Sequence, residues 1–481
     1  MYLRGRTVAL IVAAAVLFSS FTTAAVVGDG GILSQVTGSS FFGDTSNAKG
    51  LENNLDKLKQ AYGMIQSQYI GEVKDKQLVD GAIRGMVESL NDPYSTYMDE
   101  SMAKQFHDSM ESSFQGIGAE VTMKKNRVTI VSPFKDSPAE KAGLRPEDQI
   151  IKVDDISLEG MDLNEAVSKI RGPKGSKAKL KVMRPGHDEM MTVTVIRDDI
   201  PIETVHSKMM DDQVGKIEIT QFSEETAKDF SEELEKLEKK GMKGLVIDVR
   251  GNPGGLLPAV LEIGEELVPN RQTIMMTEDK SGERMTYKSK LEGKKDYPIV
   301  VLTDKGSASA SEILAGALQE SGYKTVGQTT FGKGTVQTAK DFRDGSNLKL
   351  TMAKWLTPNG KWIHKKGIKP DVKVDLPEYY HAAPPDGGKK LKRDMSSKQI
   401  QSVQQILDGL GYKPDRTDGY FSEKTETAVK AFQKNNNLSV TGVVDEKTAM
   451  KLQEEFISML RDPKSDVQLR VGIETLKKEM K

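Results

Sequence analysis

Apolar residues form three different patterns along this chain. The first is an uninterrupted apolar run near the amino terminus. Residues 7–28 carry no charge and are mostly apolar, and Arg4 and Arg6 lie just before them. A helix of this length, at about 1.5 Å per residue, would cross a bilayer core of about 30 Å. We therefore predict a membrane anchor over residues 1–28, with the bulk of the chain outside the cytoplasm because basic flanks stay inside. A signal peptide cleaved at the small residues 22–25 is the alternative.

The second pattern is helical. It begins after residues 29–50, whose Gly, Ser and Thr content predicts a flexible linker. Apolar residues then repeat at intervals of three and four, which predicts a helical arm over residues 51–112. The repeating positions are Leu55, Leu58, Tyr62, Ile65, Tyr69, Val79, Ile83, Met86, Val87 and Leu90. Pro93 would end the second helix of this arm.

The third pattern is that of short strands. Residues 113–198 alternate apolar runs with turn residues and predict a small domain of strands. Over residues 199–380, runs such as G-L-V-I-D-V alternate with helical segments, which predicts an α/β core built from βαβ crossovers. Residues 381–395 have the composition of a linker. A helical domain over residues 396–460 and a charged helical tail over residues 461–481 follow.

The helical domain contains an internal echo. T-D-G-Y-F-S-E-K-T begins at Thr417 and V-T-G-V-V-D-E-K-T begins at Val440, so Gly419 and Gly442 are 23 residues apart. In each copy a glycine turn precedes a capping residue and a helix. The echo predicts a repeated structural unit.

Composition narrows the chemistry. The chain has 481 residues, enough for three or four domains. It has no cysteine, which excludes disulfides, thiol catalysis, cysteine-ligated zinc and a lipoprotein anchor. The five histidines are scattered without an H-E-x-x-H pattern, so we expect no metal and no other cofactor. A net charge of −1 gives no nucleic-acid signature.

A hydroxyl cluster and a glycine-flanked lysine are the candidate reactive groups. After a strand-like run at residues 297–303, Ser307, Ser309 and Ser311 lie at the start of a helix predicted from Ala310. Unpaired N–H groups at a helix start favour developing negative charge. A desolvated Lys333 would lose its proton and then take one from a serine. By spacing alone, helix-capping serines and a surface turn remain alternatives.

Residue for residue, G-S-A-S-A-S-E-I at 306–313 and F-G-K-G-T-V-Q at 331–337 resemble the carboxy-terminal processing proteases, serine peptidases with a Ser-Lys pair. The resemblance implies that Ser309 is the nucleophile, that Lys333 is the base and that Gln337 accepts from the lysine. Lys333 follows Ser309 by 24 residues, fewer than in the family, and we place the deletion in residues 321–324. His364 is a disfavoured base because it lies among basic residues typical of a surface.

The segment R-G-N-P-G-G at 250–255 follows a predicted buried strand and precedes an apolar helix. A glycine turn at such a place presents backbone N–H groups. The matching segment of the family helps to form the oxyanion hole. The resemblance therefore assigns that role to the amides of Gly254, Gly255 and Ala310.

Residues 113–198 resemble a PDZ domain, through F-Q-G-I-G-A-E-V and S-P-A-E-K-A-G-L-R-P-E-D-Q-I-I-K-V. PDZ domains bind a peptide carboxyl terminus at a glycine loop and add the peptide as an edge strand. We assign this loop to Gln115, Gly116, Ile117 and Gly118, with glycines that only turn a strand as the alternative. Arg171 is a candidate regulatory residue that would face the catalytic core, unless it is merely solvated.

Two further segments resemble known modules. G-A-I-R-G-M-V-E-S-L-N-D-P-Y-S-T-Y at 81–97 is similar to the family's amino-terminal arm, which pairs subunits in relatives, so we expect a homodimer. The echo domain, with A-V-K-A-F-Q-K-N-N-N-L, resembles the small helical peptidoglycan-binding repeat domain. Peptidoglycan is therefore a candidate partner, and subunit assembly is the alternative role.

The expected protein is a multidomain α/β and α+β chain. It would combine a membrane anchor, a helical arm, a PDZ domain, an α/β (crotonase-like) serine protease core and a peptidoglycan-binding-like domain. The expected activity is that of an exported serine endopeptidase, with a PDZ domain that recognises accessible carboxyl termini of proteins or peptides and gates cleavage. Regulatory signalling such as sporulation is a role that the resemblance suggests. A catalytically silent scaffold is the alternative.

Overall fold

The structure, a computed structural model, describes residues 48–124, 126–185, 189–385 and 387–480. The predicted anchor over residues 1–28 and the linker as far as residue 47 lie outside the described residues. Within the described ranges, no helix has both the length and the apolar character needed to cross a membrane.

The arm begins with α1 (Ala48–Gln68) and α2 (Asp75–Glu88). The prediction of an all-helical arm is wrong beyond α2, because β1 (Thr96–Met98) precedes α3 (Glu100–Asp108). The residues of β1 pair antiparallel with residues 347–349, which lie far along the chain. A Thr-Tyr-Met run fits a pleated surface once such a partner is present. The arm is thereby joined to the core by a strand.

Residues 113–196 form the predicted domain of strands. Its elements are β2 (Ser113–Gly116), β3 (Ala119–Lys124), β4 (Arg127–Pro133), α4 (Pro138–Lys141), β5 (Gln149–Val153), β6 (Ile156–Ser157), α5 (Leu163–Ile170), β7 (Lys177–Met183) and β8 (Met191–Ile196). The sheet order is β3-β4-β5-β7-β8, with β6 on β5. Ile130, Leu180 and Val195 are fully buried between the layers. In the described chain, β3 is an edge strand of this sheet.

A two-stranded ribbon connects this domain to the core. β9 (Asp198–Pro201) leaves the domain and pairs antiparallel with β2, which enters it. Ile200 of the ribbon is buried. The chain therefore enters and leaves the domain at one place.

The α/β core contains two sheets. Its elements are β10 (Val205–Met209), β11 (Val214–Ile219), α6 (Thr226–Lys239), β12 (Gly244–Asp248), α7 (Leu257–Leu267), β13 (Thr273–Asp279), β14 (Arg284–Lys288), β15 (Ile299–Thr303), α8 (Ala310–Glu320), β16 (Lys324–Gly327), β17 (Thr335–Asp341), β18 (Asn347–Leu356) and β19 (Val372–Lys373). The first sheet has the order β10-β11-β12-β15-β16-β19 and is parallel from β11 to β19. The second has the order β1-β18-β13-β14, with β17 on β18. Because β12 and β15 are buried on both faces, their sequences are continuous apolar runs.

The carboxy-terminal domain contains α9 (Lys398–Gly409), α10 (Glu423–Asn435) and α11 (Glu446–Arg461). The internal echo corresponds to a repeated contact between a helix and the next turn. The Gln404 side-chain oxygen accepts from Gly419 N, and that of Gln433 accepts from Gly442 N, each at 2.9 Å. The two amide nitrogens donate to hydroxyls of the following helices. The repeat is therefore structural in origin.

The predicted linker over residues 381–395 is partly wrong. Leu391 is 3% exposed, and its backbone exchanges two hydrogen bonds with Val444, at 3.0 and 2.9 Å. Ala382 is also buried, while Asp386 lies outside the described residues. Ala382 and Leu391 therefore pack against the C-terminal helices, although the composition around them is that of a linker.

The charged tail forms α12 (Val467–Glu479), which returns to the core. Leu469 and Leu476 pack against Val246, Val300 and Leu302 of the first sheet. A Cβ at Gly472 would lie 2.8 Å from Leu302 Cδ2, so the glycine permits this close approach. α6, α7 and α8 contribute to the core on the other side of the sheet. The tail therefore supplies a helical layer of the α/β core.

Leu476→Ala should destabilise the core. The side chain is fully buried, and its removal leaves a cavity, so the free energy of unfolding should fall by about 2–5 kcal/mol. Both tryptophans, Trp355 and Trp362, belong to the core, so urea unfolding followed by tryptophan fluorescence reports on it. Val440→Ala, at a position 53% exposed in the adjacent domain, is the control. Equal midpoints for the two variants would show that α12 is not part of the core.

Candidate active site

The start of α8 presents Ser309. After β15, a turn is held by the Asp304 carboxylate, which accepts from the N–H groups of Gly306 and Ser307 at 2.9 and 3.0 Å. Ser309 is the N-cap residue, with φ 55° and ψ −114°, a conformation that a non-glycine residue rarely adopts. Such strain is found at nucleophiles on strand-to-helix turns. It persists because the surrounding bonds hold the turn.

The two neighbouring serines have other roles. Ser307 Oγ donates to Val249 O at 2.7 Å, and Ser311 Oγ donates to Asn252 O at 2.9 Å. Both hydroxyls therefore tie the start of α8 to the segment after β12. Among the three serines of the cluster, this leaves Ser309 as the candidate nucleophile.

The predicted oxyanion segment lies directly against Ser309. A Cβ at Gly254 would be 2.8 Å from Ser309 Cβ, and one at Gly255 would be 2.0 Å from Phe222 O, so both positions require glycine. However, Gly254 N donates to Asn252 Oδ1 at 2.8 Å, so this predicted oxyanion donor already has an acceptor. Ala310 is the first residue of α8, where an N–H group has no intrahelical acceptor.

An arginine anchors the start of this segment. Arg250 binds the Asp248 carboxylate through Nε and Nη2 at 2.8 and 2.7 Å, and it binds Asp466, the N-cap of α12, at 2.9 and 2.6 Å. Burial opposes ionisation of Asp248, but the hydrogen bonds and charge of Arg250 lower its pKa below the usual value. The tail helix therefore contacts the segment that reaches Ser309.

Lys333 is fully buried. Desolvation, aided by the charge of Lys349, lowers its pKa to about 7, while Glu312 and Asp92 oppose this shift. The flanking glycines are required by close packing, because a Cβ at Gly332 would lie 2.9 Å from Lys366 N and one at Gly334 would lie 2.7 Å from His364 N. A substantial fraction of Lys333 is therefore neutral near pH 7, as a general base requires.

One buried carboxylate joins the serine and lysine segments. Glu312 Oε2 accepts from Ser309 N at 2.9 Å and from Lys333 N at 2.7 Å. Its Oε1 accepts from Gly332 N at 2.7 Å and from Thr330 Oγ1 at 2.5 Å. Burial raises the pKa of Glu312, and the four donors oppose that rise. Our sequence analysis did not single out Glu312, although an S-x-x-E capping pattern was a signal for it.

Gln337 is buried next to this site, but its hydrogen bonds differ from the expectation. Its amide nitrogen donates to Thr335 Oγ1 at 2.9 Å and to Thr351 Oγ1 at 3.1 Å. Its oxygen is buried and has no hydrogen-bond partner, so it does not accept from Lys333 in this arrangement.

The arm contributes residues that sequence analysis did not assign to the site. The Tyr94 ring centroid lies 5.2 Å from Lys333 Nζ. Asp92 accepts from Tyr94 N at 3.1 Å and from Ser95 Oγ at 2.6 Å. Ser95 Oγ also accepts from Thr351 N of β18 at 3.1 Å. The N-D-P-Y-S run had indicated a helix end and part of the subunit-pairing arm, but not contacts with the site, because those contacts are far away in sequence.

His364 lies closer to the lysine segment than the sequence indicated. Its Nδ1 accepts from Gly334 N at 3.3 Å, and its ring stacks on Trp362 with centroids 5.2 Å apart. Desolvation, followed by the charge of Lys365, lowers its pKa. The hydrogen bond and the stacking indicate that it positions the Gly334 backbone.

The predicted peptide-binding loop is only partly a loop. Gln115 and Gly116 belong to β2 and pair with residues of β9. Ile117 is buried, and its carbonyl accepts from Ala139 N at 2.7 Å. Gly118 has φ 75°, and a Cβ there would lie 2.5 Å from Ser137 Cβ. Residues 117–118 therefore form the short turn that leads into the edge strand β3.

Arg171 faces the arm and not the catalytic groups. It is the C-cap of α5, and its guanidinium lies 4.7 Å from the Phe114 ring centroid. It lines a cavity of about 250 Å³ with Lys104 and Asp108 of α3. The structure therefore does not place Arg171 against the catalytic core, and its exposed side chain agrees with the alternative of a solvated arginine. Among the side chains that the structure describes, no cluster of three or more potential metal-ligating His, Cys, Asp or Glu residues is found.

Comparison with known proteins matches four segments of the chain to family models. The Peptidase family S41 model matches residues 213–374, a PDZ domain model matches 129–184 and a peptidoglycan binding domain model matches 396–452. The model of the activating protease CtpB N-terminal domain matches 20–102.

Similar proteins extend along most of the chain. Carboxy-terminal processing protease CtpB of Bacillus subtilis (strain 168) is 50% identical over 426 residues, which cover 88% of this chain and 89% of that protein. Carboxy-terminal processing protease CtpA of the same organism is 47% identical over 447 residues, or 92% and 95% of the two chains. The solved photosystem II D1 C-terminal processing protease is 31% identical, with a TM-score of 0.41, over 66% of this chain and 86% of that one. The chain therefore belongs to the carboxy-terminal processing proteases of peptidase family S41, serine-type peptidases, and carries a PDZ domain and a peptidoglycan-binding-like domain.

Proposed function

We propose that the protein is an exported, membrane-tethered endopeptidase that works by a Ser309–Lys333 mechanism. The observation that carries the proposal is the Glu312 carboxylate, one oxygen of which accepts from both Ser309 N and Lys333 N. This bridge holds the backbones of the nucleophile and the base at a common point. The alternative is a catalytically silent scaffold. It is disfavoured because the strained backbone of Ser309 and the burial of the Lys333 ammonium both cost free energy, and such costs are typical of functional sites.

In the proposed reaction, neutral Lys333 takes the proton of Ser309 Oγ as that oxygen attacks the scissile carbonyl. The developing oxyanion is stabilised by N–H groups at the start of α8, for which Ala310 and Gly255 are the candidates. The Lys333 ammonium then protonates the leaving amine. A water molecule, deprotonated by Lys333, attacks the acyl-enzyme and frees Ser309.

Gln337 is proposed to act during this cycle and not before it. Its buried side-chain oxygen lacks a partner in the described structure. A buried acceptor without a hydrogen bond is unfavourable. A cation that forms nearby can donate a charge-assisted hydrogen bond to it, which is favourable. The oxygen would accept from the Lys333 ammonium once the serine proton has been transferred.

The PDZ domain is proposed to recognise the carboxyl termini of protein or peptide substrates. β3 is at the edge of its sheet, so a peptide can add to β3 as a further strand, with its carboxylate near residues 117–118. The ribbon of β2 and β9 connects this domain to the core beside α3 of the arm. Binding would change activity only if the peptide prefers one arrangement of the domains over another.

Subunit assembly and binding to peptidoglycan complete the proposal. The arm exposes apolar side chains, including Leu58 at 47%, Met64 at 59% and Tyr69 at 63%, which is typical of an interaction surface. We propose that a second copy of the chain covers it. Sedimentation velocity of the purified protein tests this, and a monomer at all concentrations would contradict it.

Binding to peptidoglycan by residues 396–452 is a further part of the proposal, which a pull-down on isolated sacculi tests.

Ser309→Ala should abolish cleavage of a peptide reporter, with a loss of at least about 10³-fold in kcat. Ser307→Ala and Ser311→Ala each remove a buried hydrogen bond and should mainly reduce stability, by about 1–3 kcal/mol. Steady-state kinetics and thermal melting of the three variants separate the two effects. Loss of activity in Ser307→Ala or Ser311→Ala, with activity retained in Ser309→Ala, would contradict the assignment.

Activity should rise with pH through about 7, because the pKa of Lys333 is lowered to about 7 and only the neutral amine accepts a proton. Lys333→Arg keeps a cation that does not deprotonate, so it should be inactive at every working pH. The pH dependence of kcat/KM checks both expectations. Full activity of Lys333→Arg, or of Lys333→Ala with His364 present, would favour a histidine base.

A carboxy-terminal peptide that resists cleavage should accelerate hydrolysis of a separate reporter if the PDZ domain gates the site. If the domain only concentrates substrates, the same peptide should compete. Gly118→Val, which clashes with Ser137, should abolish either effect, whereas Ile156→Ala, at a position 45% exposed, should not. Unchanged reporter kinetics at saturating peptide would rule out gating.

A further inference from the structure

The tail helix α12 supplies two side-chain acceptors to Arg250, which begins the segment that reaches Ser309. The carboxylate oxygens of Asp466 accept from Arg250 Nη1 and Nη2 at 2.9 and 2.6 Å. Gln468 Oε1 accepts from Arg250 Nη1 at 3.1 Å, and Gln468 is fully buried. A planar guanidinium that binds a carboxylate through two hydrogen bonds has a defined orientation. The tail therefore fixes the side chain of Arg250.

The other side of the Arg250 guanidinium is held by the core. Its Nε and Nη2 donate to the two oxygens of Asp248, the last residue of β12. The side chains of Arg250, Asp248 and Asp466 are only 17%, 5% and 15% exposed. Removing one partner from such a buried arrangement leaves a charge uncompensated. Without Asp466, Arg250 would share its remaining carboxylate with Lys216, whose Nζ lies 3.1 Å from Asp248 Oδ2.

The residue after Arg250 contacts the turn before the proposed nucleophile. Gly251 N donates to Asp304 Oδ1 at 2.8 Å, and the same oxygen accepts from Gly306 N at 2.9 Å. A Cβ at Gly306 would lie 2.9 Å from Gly251 Cα, so the two backbones are in direct contact. One carboxylate oxygen therefore joins the segment after β12 to the turn that leads to Ser309.

The next residue contacts the start of α8 itself. Asn252 O accepts from Ala308 N at 3.0 Å and from Ser311 Oγ at 2.9 Å, on the two sides of Ser309. Two residues further on, a Cβ at Gly254 would lie 2.8 Å from Ser309 Cβ. A shift of this segment would therefore displace the proposed nucleophile.

The packing of α12 has a source other than the ion pair with Arg250. Leu469 and Leu476 bury their side chains against the first sheet. Asp466 is also the N-cap of α12, where its Oδ1 accepts from Leu469 N at 2.9 Å. An uncharged asparagine caps a helix about as well as an aspartate does. The negative charge of Asp466 is therefore not needed for the helix, and its remaining role is to hold Arg250.

We propose that Asp466 is a positioning residue for the reaction at Ser309, which acts by holding Arg250 and hence residues 250–255 against the start of α8. The inference rests on the proposed function, because it takes Ser309 as the nucleophile. The tail helix is then a required part of the catalytic core and more than a layer of its packing. Misplacing a reacting group by about 1 Å costs about 100-fold in rate.

The test compares kcat and KM of the full-length protein with those of Asp466→Asn, using a peptide reporter. Asparagine keeps the cap of α12 and loses the charge that holds Arg250. We expect kcat to fall by about 10- to 100-fold, because the segment against Ser309 is no longer fixed. KM should change little, because no residue proposed to bind substrate is altered.

Asp466→Glu is the complementary variant. It keeps a carboxylate for Arg250, but glutamate is not among the residues preferred at an N-cap. It should therefore retain most of kcat and lower the melting temperature more than Asp466→Asn does. If kcat follows helix capping instead of charge, so that Asp466→Asn is the more active variant, the inference is overturned.

Lys477→Met is the matched control. Lys477 of the same helix pairs with Asp212, so this variant removes another ion pair between the tail and the core and leaves Arg250 intact. The two side chains are 43% and 62% exposed, and kcat should be unchanged. An equal loss of kcat in Lys477→Met would assign the effect to loose docking of the tail and would overturn the role of Asp466.

Arg250→Gln tests whether Asp466 acts through Arg250. If it does, adding Asp466→Asn to Arg250→Gln should cause no further loss of kcat, because the two residues form one unit. Losses that multiply would show independent effects and would contradict the proposal. If Asp466→Asn does not fold, Asp466→Ser supplies the same loss of charge with another good N-cap.

Ser309→Ala separates failure of this inference from failure of the catalytic assignment. If Ser309→Ala is inactive and Asp466→Asn retains full kcat, only the role of Asp466 is lost. Retained activity in Ser309→Ala would contradict the proposed function and, with it, this inference.

Discussion

The catalytic arrangement depends on one buried carboxylate. Glu312 accepts from Ser309 N at the start of α8 and from Gly332 N and Lys333 N on a separate segment. A buried carboxylate costs several kcal/mol unless its oxygens are hydrogen-bonded, and four donors satisfy this one. Loss of the carboxylate would leave those N–H groups without an acceptor. The backbone positions of the proposed nucleophile and the proposed base are therefore set together by one group.

Burial also sets the proton affinity of Lys333, the proposed base. Water around Lys333 would restore its ordinary proton affinity, so the close-packed segments around Gly332 and Gly334 contribute to reactivity as well as to packing. The surrounding charges shift the pKa of Lys333 further: that of Lys349 lowers it, and those of Glu312 and Asp92 raise it.

Segments outside the central α/β unit complete the site. The arm adds Asp92 and Tyr94 beside Lys333. The tail adds Asp466, which binds Arg250 at the start of the segment that reaches Ser309. The carboxy-terminal helical domain therefore lies, in sequence, between β19 and a helix that belongs to the core. Substitutions in the arm or in the tail can therefore alter residues that contact Lys333 or the segment that reaches Ser309.

Local patterns in the sequence were sufficient to predict the buried runs of β12 and β15. The resemblance to a known family was needed to single out Ser309 and Lys333. Each of these depends on neighbouring residues, whose spacing is visible in the sequence. Only the tertiary structure decided that Gly254 N donates to Asn252, that Ala382 and Leu391 of the predicted linker are buried and that Arg171 lies beside the arm. It also decided that Glu312 joins the segments of Ser309 and Lys333 and that Tyr94 of the arm lies beside Lys333. These contacts join residues that are far apart in the chain, and such contacts leave no periodic signal in the sequence.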